Sequence, residues 1–404
     1  MQGASIYYYQ SKQTSSNGIE KYPKLRLKGF SDPFVIRKIG SFAKCYAGAT
    51  PSTKNKSFWE NGNIPWLSSG EVNKKRINFT DTHITQKGFD NCSTKMVPPG
   101  TVVIALAGQG KTRGTVAITN IELCTNQSLA SIVTDDTVYD LCLLYYLETQ
   151  YENLRAISSG DGTRGGLNLQ IINDYPVCLP TVDEQIRIAE LFMIFDRKIE
   201  KQRALVESLK KYKRGVMCSY FSGKFVLHRS NGQHYSPWRE YTLSDVSDEF
   251  KSGKSITSTD INEVGEYAVY GGNGVRGYTD HYSHDGQYVV VGRQGALCGN
   301  VRIIDGKNYL SEHAIAVKAN SNHYTPFLLY LLSDMRLGQY SDQGAQPGLA
   351  VNKLLKLKRK FPEYEEQVRF ATFMQQIDNK LNSENNKLEY ITTLKRGLLQ
   401  QLFI

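Results

Sequence analysis

Two kinds of residue cluster in this sequence invite a chemical reading. The first is ALAGQGKT at residues 105–112, which nearly fits the phosphate loop G-x-x-x-x-G-K-[ST], with Ala105 where the first Gly belongs. A phosphate loop must open a helix whose N-terminus faces the anion, and the residues that follow, RGTVAITN, read instead as a strand. Nucleotide binding is not expected there. The second kind is a strand, a Gly-rich loop carrying Arg or Lys with Gln, and another strand. It occurs at residues 101–120, in EYAVYGGNGVRGYTDHY (266–282) and in QYVVVGRQGALCGNVRII (287–304). Gly permits close approach, while Arg and Gln offer paired donors and acceptors to the base edges of a DNA groove. An ordinary turn is the alternative for any one such loop, but the loops occur in both halves of the chain. His281 and His284 form one H-x-x-H without a Cys or carboxylate set, no G-x-S-x-G appears, and VPPG (97–100) lacks the aromatic that follows Pro-Pro in amino-methyltransferases. No catalytic residue, metal ligand or resident cofactor is expected.

The elements that must carry these loops are set by a chain of 404 residues, long enough for more than one core. A formal charge of +10 fits either a polyanionic partner such as nucleic acid or a merely well-solvated surface. The apolar runs LCLLYYL (141–147) and FLLYLL (327–332) are far shorter than the ~20 residues of a membrane span. No secretory leader opens the chain and the seven cysteines form no C-x-x-C, so a reduced, cytoplasmic location is expected. Residues 1–22, with Tyr7, Tyr8 and Tyr9 in a Ser, Gln and Asn background, read as a flexible N-terminal arm.

One long segment occurs twice. DEQIRIAELFMIFDRKIE from Asp183 reappears as EEQVRFATFMQQIDNKLN from Glu365, at a constant offset of 182 that pairs Glu184 with Glu366, Gln185 with Gln367, Asp196 with Asp378 and KRG (213–215) with KRG (395–397). The same offset pairs Pro180 with Pro362. Upstream, DPFVIRKIG (32–40) matches SPWREYTLS (236–244) at an offset of 204, so the first interior is longer by the difference of the offsets, 22 residues. The repeated segments carry a helical seam: Ile188, Phe192, Phe195, Ile199, Gln202, Val206, Leu209, Lys213 and Val216 in one, Phe370, Met374, Ile377, Leu381, Glu384, Leu388, Ile391, Lys395 and Leu398 in the other. Either the two helices pack antiparallel about a two-fold axis that brings Gln202 to Glu384, or each lies on its own globular neighbour.

These residues resemble the specificity subunits of Type I restriction-modification systems. The resemblance covers nearly all of the chain after Tyr22. It rests on PTVDEQIRIAELF (180–192) and PEYEEQVRFATFM (362–374), on IPWL (64–67), YAVYGGNGVRGY (267–278) and SEHAIAV (311–317), and on the G-x-x-x-G-L elements before each long helix. The fold it implies is α+β: two mixed α/β target-recognition domains separated by two long antiparallel helices, a pseudo-two-fold symmetric coiled-coil spacer. Residues 23–180 and 224–361 would be the two domains, with 181–223 and 362–404 the spacer helices. The family further implies that each domain reads one half of a split DNA target and that the spacer sets the gap. Two methyltransferase subunits would dock on the spacer and use S-adenosylmethionine on adenines, while ATP- and Mg-dependent restriction subunits would cleave unmodified DNA. This chain would be a non-catalytic subunit acting on double-stranded DNA, with no membrane partner. The second G-x-x-x-G-L element departs from the first, with Gln346-Pro347 for Arg164-Gly165 and Ala350 for Asn168. Base-reading candidates are Ser68, Ser69, Gln109, Lys111, Arg113 and Arg164 in the first domain, and Asn273, Arg276, Arg293, Gln294 and Gln346 in the second. A self-sufficient DNA enzyme and a non-specific DNA-bridging protein are the rival readings.

Overall fold

The structure, a computed structural model, describes residues 6–8, 22–108, 110–158, 166–295, 297–341 and 348–403. The chain divides into two units, Met1–Gln202 with Lys387–Ile404, and Arg203–Asn386.

Unit 1 begins where an arm was expected. Ile6–Tyr8 forms a strand (β1) antiparallel to β2, Leu25–Leu27, which corrects the expectation for these three residues. A β-branched and aromatic run needs only a backbone partner to become a strand, and the polar residues around it mask that signal. β3 (Val35–Lys38) enters an antiparallel ribbon closed much later by β12, Pro176–Leu179. Between them stand β4 (Ala43–Ala47), β5 (Ile64–Leu67), β6 (Arg76–Ile77), β7 (Thr82–Ile84), β8 (Val102–Ala105), β9 (Val116–Thr119), β10 (Cys124–Thr125) and β11 (Leu129–Thr134). They form a five-stranded sheet in the order β4-β11-β8-β9-β6 and a three-stranded one in the order β10-β5-β7. VVIA and VAIT in β8 and β9 are buried throughout, which is why both read as continuous apolar runs rather than alternating ones. The sequence after the Gly-rich loop is thus strand, and no helix opens on that loop.

Helix α1 (Gln86–Asp90) is capped by Thr85, α3 (Tyr151–Ala156) is short, and α4 (Leu169–Asp174) is capped by Asn168, whose side chain accepts the Ile171 N–H at 2.8 Å. α2 (Asp140–Thr149) holds the LCLLYYL run, and Cys142–Leu147 are all buried. Being apolar in every direction, it is the middle of a core: Tyr145 and Tyr146 pack with Phe192 and Phe403 of the long helical segments. α5 runs Val182–Phe221.

Unit 2 repeats this plan. β13 (Arg239–Thr242) pairs with β21 (Lys358–Phe361) as β3 does with β12. β14 (Ser247–Ser252), β17 (Tyr288–Gly292), β18 (Val301–Ile304) and β20 (Ala314–Ala319) form a sheet in the order β14-β20-β17-β18. β15 (Tyr267–Gly271), β16 (Gly274–Thr279) and β19 (Tyr309–Leu310) form the three-stranded sheet, with β15 parallel to β19 as β5 is to β10. α6 (Thr325–Asp334) matches α2, α7 (Val351–Leu355) matches α4, and α8 spans Tyr364–Leu402. Among the described residues the two larger sheets and the ribbon correspond strand for strand, except that β6, in the longer first interior, has no counterpart, and the β1–β2 pair occurs in unit 1 alone.

Within each unit the two long helices run antiparallel. In unit 1, Phe192 near the start of α5 stacks on Phe403 just past the end of α8, with ring centroids 6.5 Å apart. In unit 2, Tyr220 near the end of α5 stacks on Phe370 near the start of α8 at 3.7 Å. The seam residues are turned inward. Ile188, Phe192, Ile199, Val206, Phe370, Met374 and Ile377 are buried; Phe195, Leu209, Leu381, Leu388 and Ile391 are half-buried. Gln202 is half-buried, and Glu384 is buried with an ion pair to Lys380 at 2.7 Å.

Candidate nucleic-acid interface

The repeated polar residues turn out to be anchors. Gln185 is buried, accepts the Tyr139 N–H at 2.8 Å and donates to the Pro180 carbonyl at 2.9 Å. Gln367 does the same with Tyr324 N–H at 2.9 Å and Pro362 O at 2.9 Å. Each Gln thereby ties the first turn of a long helix to the residue that precedes the apolar helix, α2 or α6. One turn or more further on, Asp196 accepts from Tyr145 Oη and from Lys395 Nζ, both at 2.6 Å. Asp378 accepts from Tyr330 Oη at 3.0 Å and pairs with Lys213. The Lys of each KRG thus meets the Asp of the other helix copy. Burial alone would raise the Asp196 carboxyl, but Lys395, Tyr145 and Arg76 outweigh it and hold it below the ordinary range.

Glu184 and Glu366 share a register but not a partner. Glu184 forms a fully buried two-pronged ion pair with Arg26, at 2.7 and 3.0 Å. Glu366 accepts from Tyr220 Oη at 3.0 Å. Burial pushes both carboxyls above their ordinary value, against the pull of Arg26 on one and of Tyr220 and Trp238 on the other.

Above this frame each unit builds a rim from the loop after its central strand. In unit 2, Arg293 N–H donates to His313 O at 2.9 Å and Arg293 O accepts Leu349 N–H at 2.9 Å. In unit 1, Leu106 N–H donates to Ser128 O at 2.8 Å and Leu106 O accepts Leu167 N–H at 2.9 Å. The Leu of each G-x-x-x-G-L element therefore locks the base of a candidate reading loop. The end of the edge-sheet strand joins the same rim, through Asn126 N–H on Leu67 O at 3.0 Å and Ser311 N–H on Tyr270 O at 2.9 Å.

Unit 2 gathers its described candidates. Arg293 is half-buried, with its guanidinium on Glu312 O at 3.3 Å, and Gln294 is exposed, with its amide oxygen 2.7 Å from His313 Nδ1. Asn273 and Arg276 are exposed on the neighbouring β15–β16 hairpin. The hairpin lies so close that a Cβ on Gly272 would stand 2.7 Å from Gln294 O. Gly274, at φ +114°, leaves room for the Arg302 guanidinium, which would be 2.5 Å from a Cβ there. In unit 1, Lys111 is exposed and Arg113 half-buried in a loop held from behind by Tyr151 Oη on Lys111 O (2.8 Å) and Arg155 on Gly110 O (2.9 Å). Ser68 and Ser69 are half-buried, and Ser68 has a structural task. It heads a capping box in which both its N–H and its Oγ meet the Glu71 carboxylate, at 3.1 and 3.0 Å. Gln109, Arg164 and Gln346 lie outside the described residues.

Sequence reasoning missed His313, which can orient Gln294, and Arg302 beside the hairpin tip. It also missed Glu71, although the spacing Ser-x-x-Glu from Ser68 signals it. Lys74 and the N–H groups of Ser68 and Asp81 hold the Glu71 carboxyl below its ordinary value, overcoming the opposite effect of burial. Among the described residues no group of three or more His, Cys, Asp or Glu gathers as metal ligands, and no helix is long and apolar enough to cross a membrane.

The profile of the type I restriction modification DNA specificity domain matches residues 31–210 and again residues 235–393. The chain belongs to this family of specificity subunits. A specificity subunit of the type I restriction enzyme EcoprrI from Escherichia coli is 28% identical over 357 residues, covering 83% of this chain and 85% of its own length. The crystal structure of an S subunit from M. genitalium superposes with a TM-score of 0.65 at 20% identity, over 95% of this chain and 99% of that one. A chain from work on complex assembly and conformational transition of the type I R-M system gives a TM-score of 0.56 at 15% identity, over 92% and 97%. The specificity-subunit fold thus accounts for both units.

Proposed function

We propose that this specificity subunit reads an asymmetric, split DNA sequence, each unit recognising one half, with the paired helices setting the gap and docking the methyltransferase subunits. The observation that carries this reading is one hydrogen-bonded frame with two different rims. Lys111 and Arg113 stand on one, and Asn273, Arg276, Arg293 and Gln294 on the other. Equal frames with unequal readers suit a two-part target whose halves differ, as symmetric readers suit palindromes. The charge of +10 supplies the electrostatic part of the binding.

The chain itself carries no chemistry in this reading. Methyl transfer from S-adenosylmethionine and ATP- and Mg-dependent cleavage belong to partner subunits, as assembly in a type I R-M system would require. The full chain with its methyltransferase subunits should bind one duplex sequence at least ~1,000-fold tighter than random duplex, measured by competition. Equal competition by random duplex would favour a DNA-bridging protein instead. Methyl transfer by the purified chain alone would make it an enzyme.

A further inference from the structure

The β13–β21 ribbon belongs to the repeated frame, yet its outward face differs sharply from that of its counterpart. The stretch that closes α7 and forms β21 reads KLLKLKRKF over residues 353–361. Lys356, Lys358 and Lys360 are exposed, whereas Leu357 and Arg359 between them are half-buried and Arg359 reaches the Tyr340 hydroxyl at 3.2 Å. Across the ribbon, Thr242 stands opposite Lys358 and Glu240 opposite Lys360. The one ion pair these three lysines make among the described residues is exposed, Lys358 to Glu240 at 3.5 Å. At the 182 offset, unit 1 has Asp174, Pro176 and Cys178 in their places. It forms the same ribbon without any of these cations, and its Asp174 instead pairs with Lys38 at 2.8 Å.

The fold therefore does not need the lysines, and three like charges on neighbouring positions repel one another. They follow the reading loop in sequence, because Leu349, bonded to Arg293 O, leads into α7. The ribbon itself joins the end of β14 opposite the rim, through the Leu243 and Ser244 N–H groups, which donate to Leu357 O and Leu355 O at 3.0 and 3.1 Å. Lys358 and Lys360 are two strand residues apart, about 6.8 Å, which is two steps of the ~3.4 Å axial rise per phosphate along one DNA strand. We propose that Lys356, Lys358 and Lys360 form a phosphate-contacting ladder that grips the duplex flanking the half-site of unit 2, without reading bases, and that unit 1 has no equivalent. This rests on the DNA-recognition reading above.

The test is the triple variant K356Q/K358Q/K360Q in the full chain with its methyltransferase subunits, titrated with target and random duplex across a salt series. The plot of log affinity against log salt should become shallower by about 2 to 3, near 0.9 per lost phosphate contact. Target and random duplex should weaken alike, leaving the preference between them unchanged. The Lys→Arg triple variant should restore the slope. An unchanged slope overturns the ladder. So does an unchanged slope with weaker capture of the methyltransferase subunits, which would assign the patch to a protein surface. A wild-type complex that binds every duplex alike would sink the underlying reading, while the slope would still decide the ladder.

Discussion

Unit 1 and unit 2 hold the start of their long helices in the same place with different chemistry. Gln185 and Gln367 share the same two bonds to backbone, with a longer third from Gln185 to Thr137 O at 3.5 Å, but the neighbouring Glu184 meets a buried Arg26 and Glu366 meets the hydroxyl of Tyr220. A side chain that satisfies fixed backbone groups cannot drift without leaving them unpaired, so both copies retain it. A carboxylate answered by another side chain can change partner. The network around Asp196 has likewise grown in unit 1, where Lys395 also reaches Glu148 at 3.3 Å and Arg76 of the extra strand β6 lies 3.4 Å from Asp196.

The largest expected effect tests this contrast. Glu184→Gln leaves Arg26 buried without a counter-charge and should cost about 4 kcal/mol, whereas Glu366→Gln keeps an acceptor for Tyr220 and should cost well under ~1 kcal/mol. Scanning calorimetry of the full chain would reveal equal losses if the contrast is false. The pH dependence has a defined sign. The Glu366 carboxyl is raised in the folded state, so the native chain holds a proton that the unfolded chain releases, and its contribution declines as pH rises from about 4.5 through the folded value. Glu366→Gln should remove that decline.

Gln185→Ala and Gln367→Ala should be matched at about 2 kcal/mol each, for one buried N–H and one carbonyl left unpaired. A several-fold disparity in urea unfolding would show that the shared frame is not equally important. At the rims, Arg293→Ala should relax one base pair in one half of the target by about 2 kcal/mol, read by competition among single-base variants. Uniform weakening on all duplexes would make Arg293 a phosphate contact. Ser68→Ala, losing one cap, should lower stability by about 1 kcal/mol with base preference intact.

The long helices and their seam were legible because a 4-3 spacing survives in both copies, and the duplication itself exposed the frame. The partners of Gln185 and Gln367 were not, since each meets backbone more than forty residues away in sequence. Strand β6 hid in an insertion with no second copy for comparison. Ser68 is a base-contact candidate by residue type, and Glu71 three residues later adds a cap that Ser-Ser-Gly alone does not signal, because those three residues suggest a loop as readily as a turn of helix. Of the rim candidates, the Arg and Gln residues could be chosen by chemistry alone, whereas His313 becomes visible only when the fold sets it beside Gln294.

The most direct measurement is to map methylated adenines in cells carrying this chain and its methyltransferase subunits, before and after residues 247–355 are replaced by those of another specificity subunit. The account predicts a split target in which one half changes while the other half and the gap stay fixed. A change in both halves, or a continuous target, would contradict it.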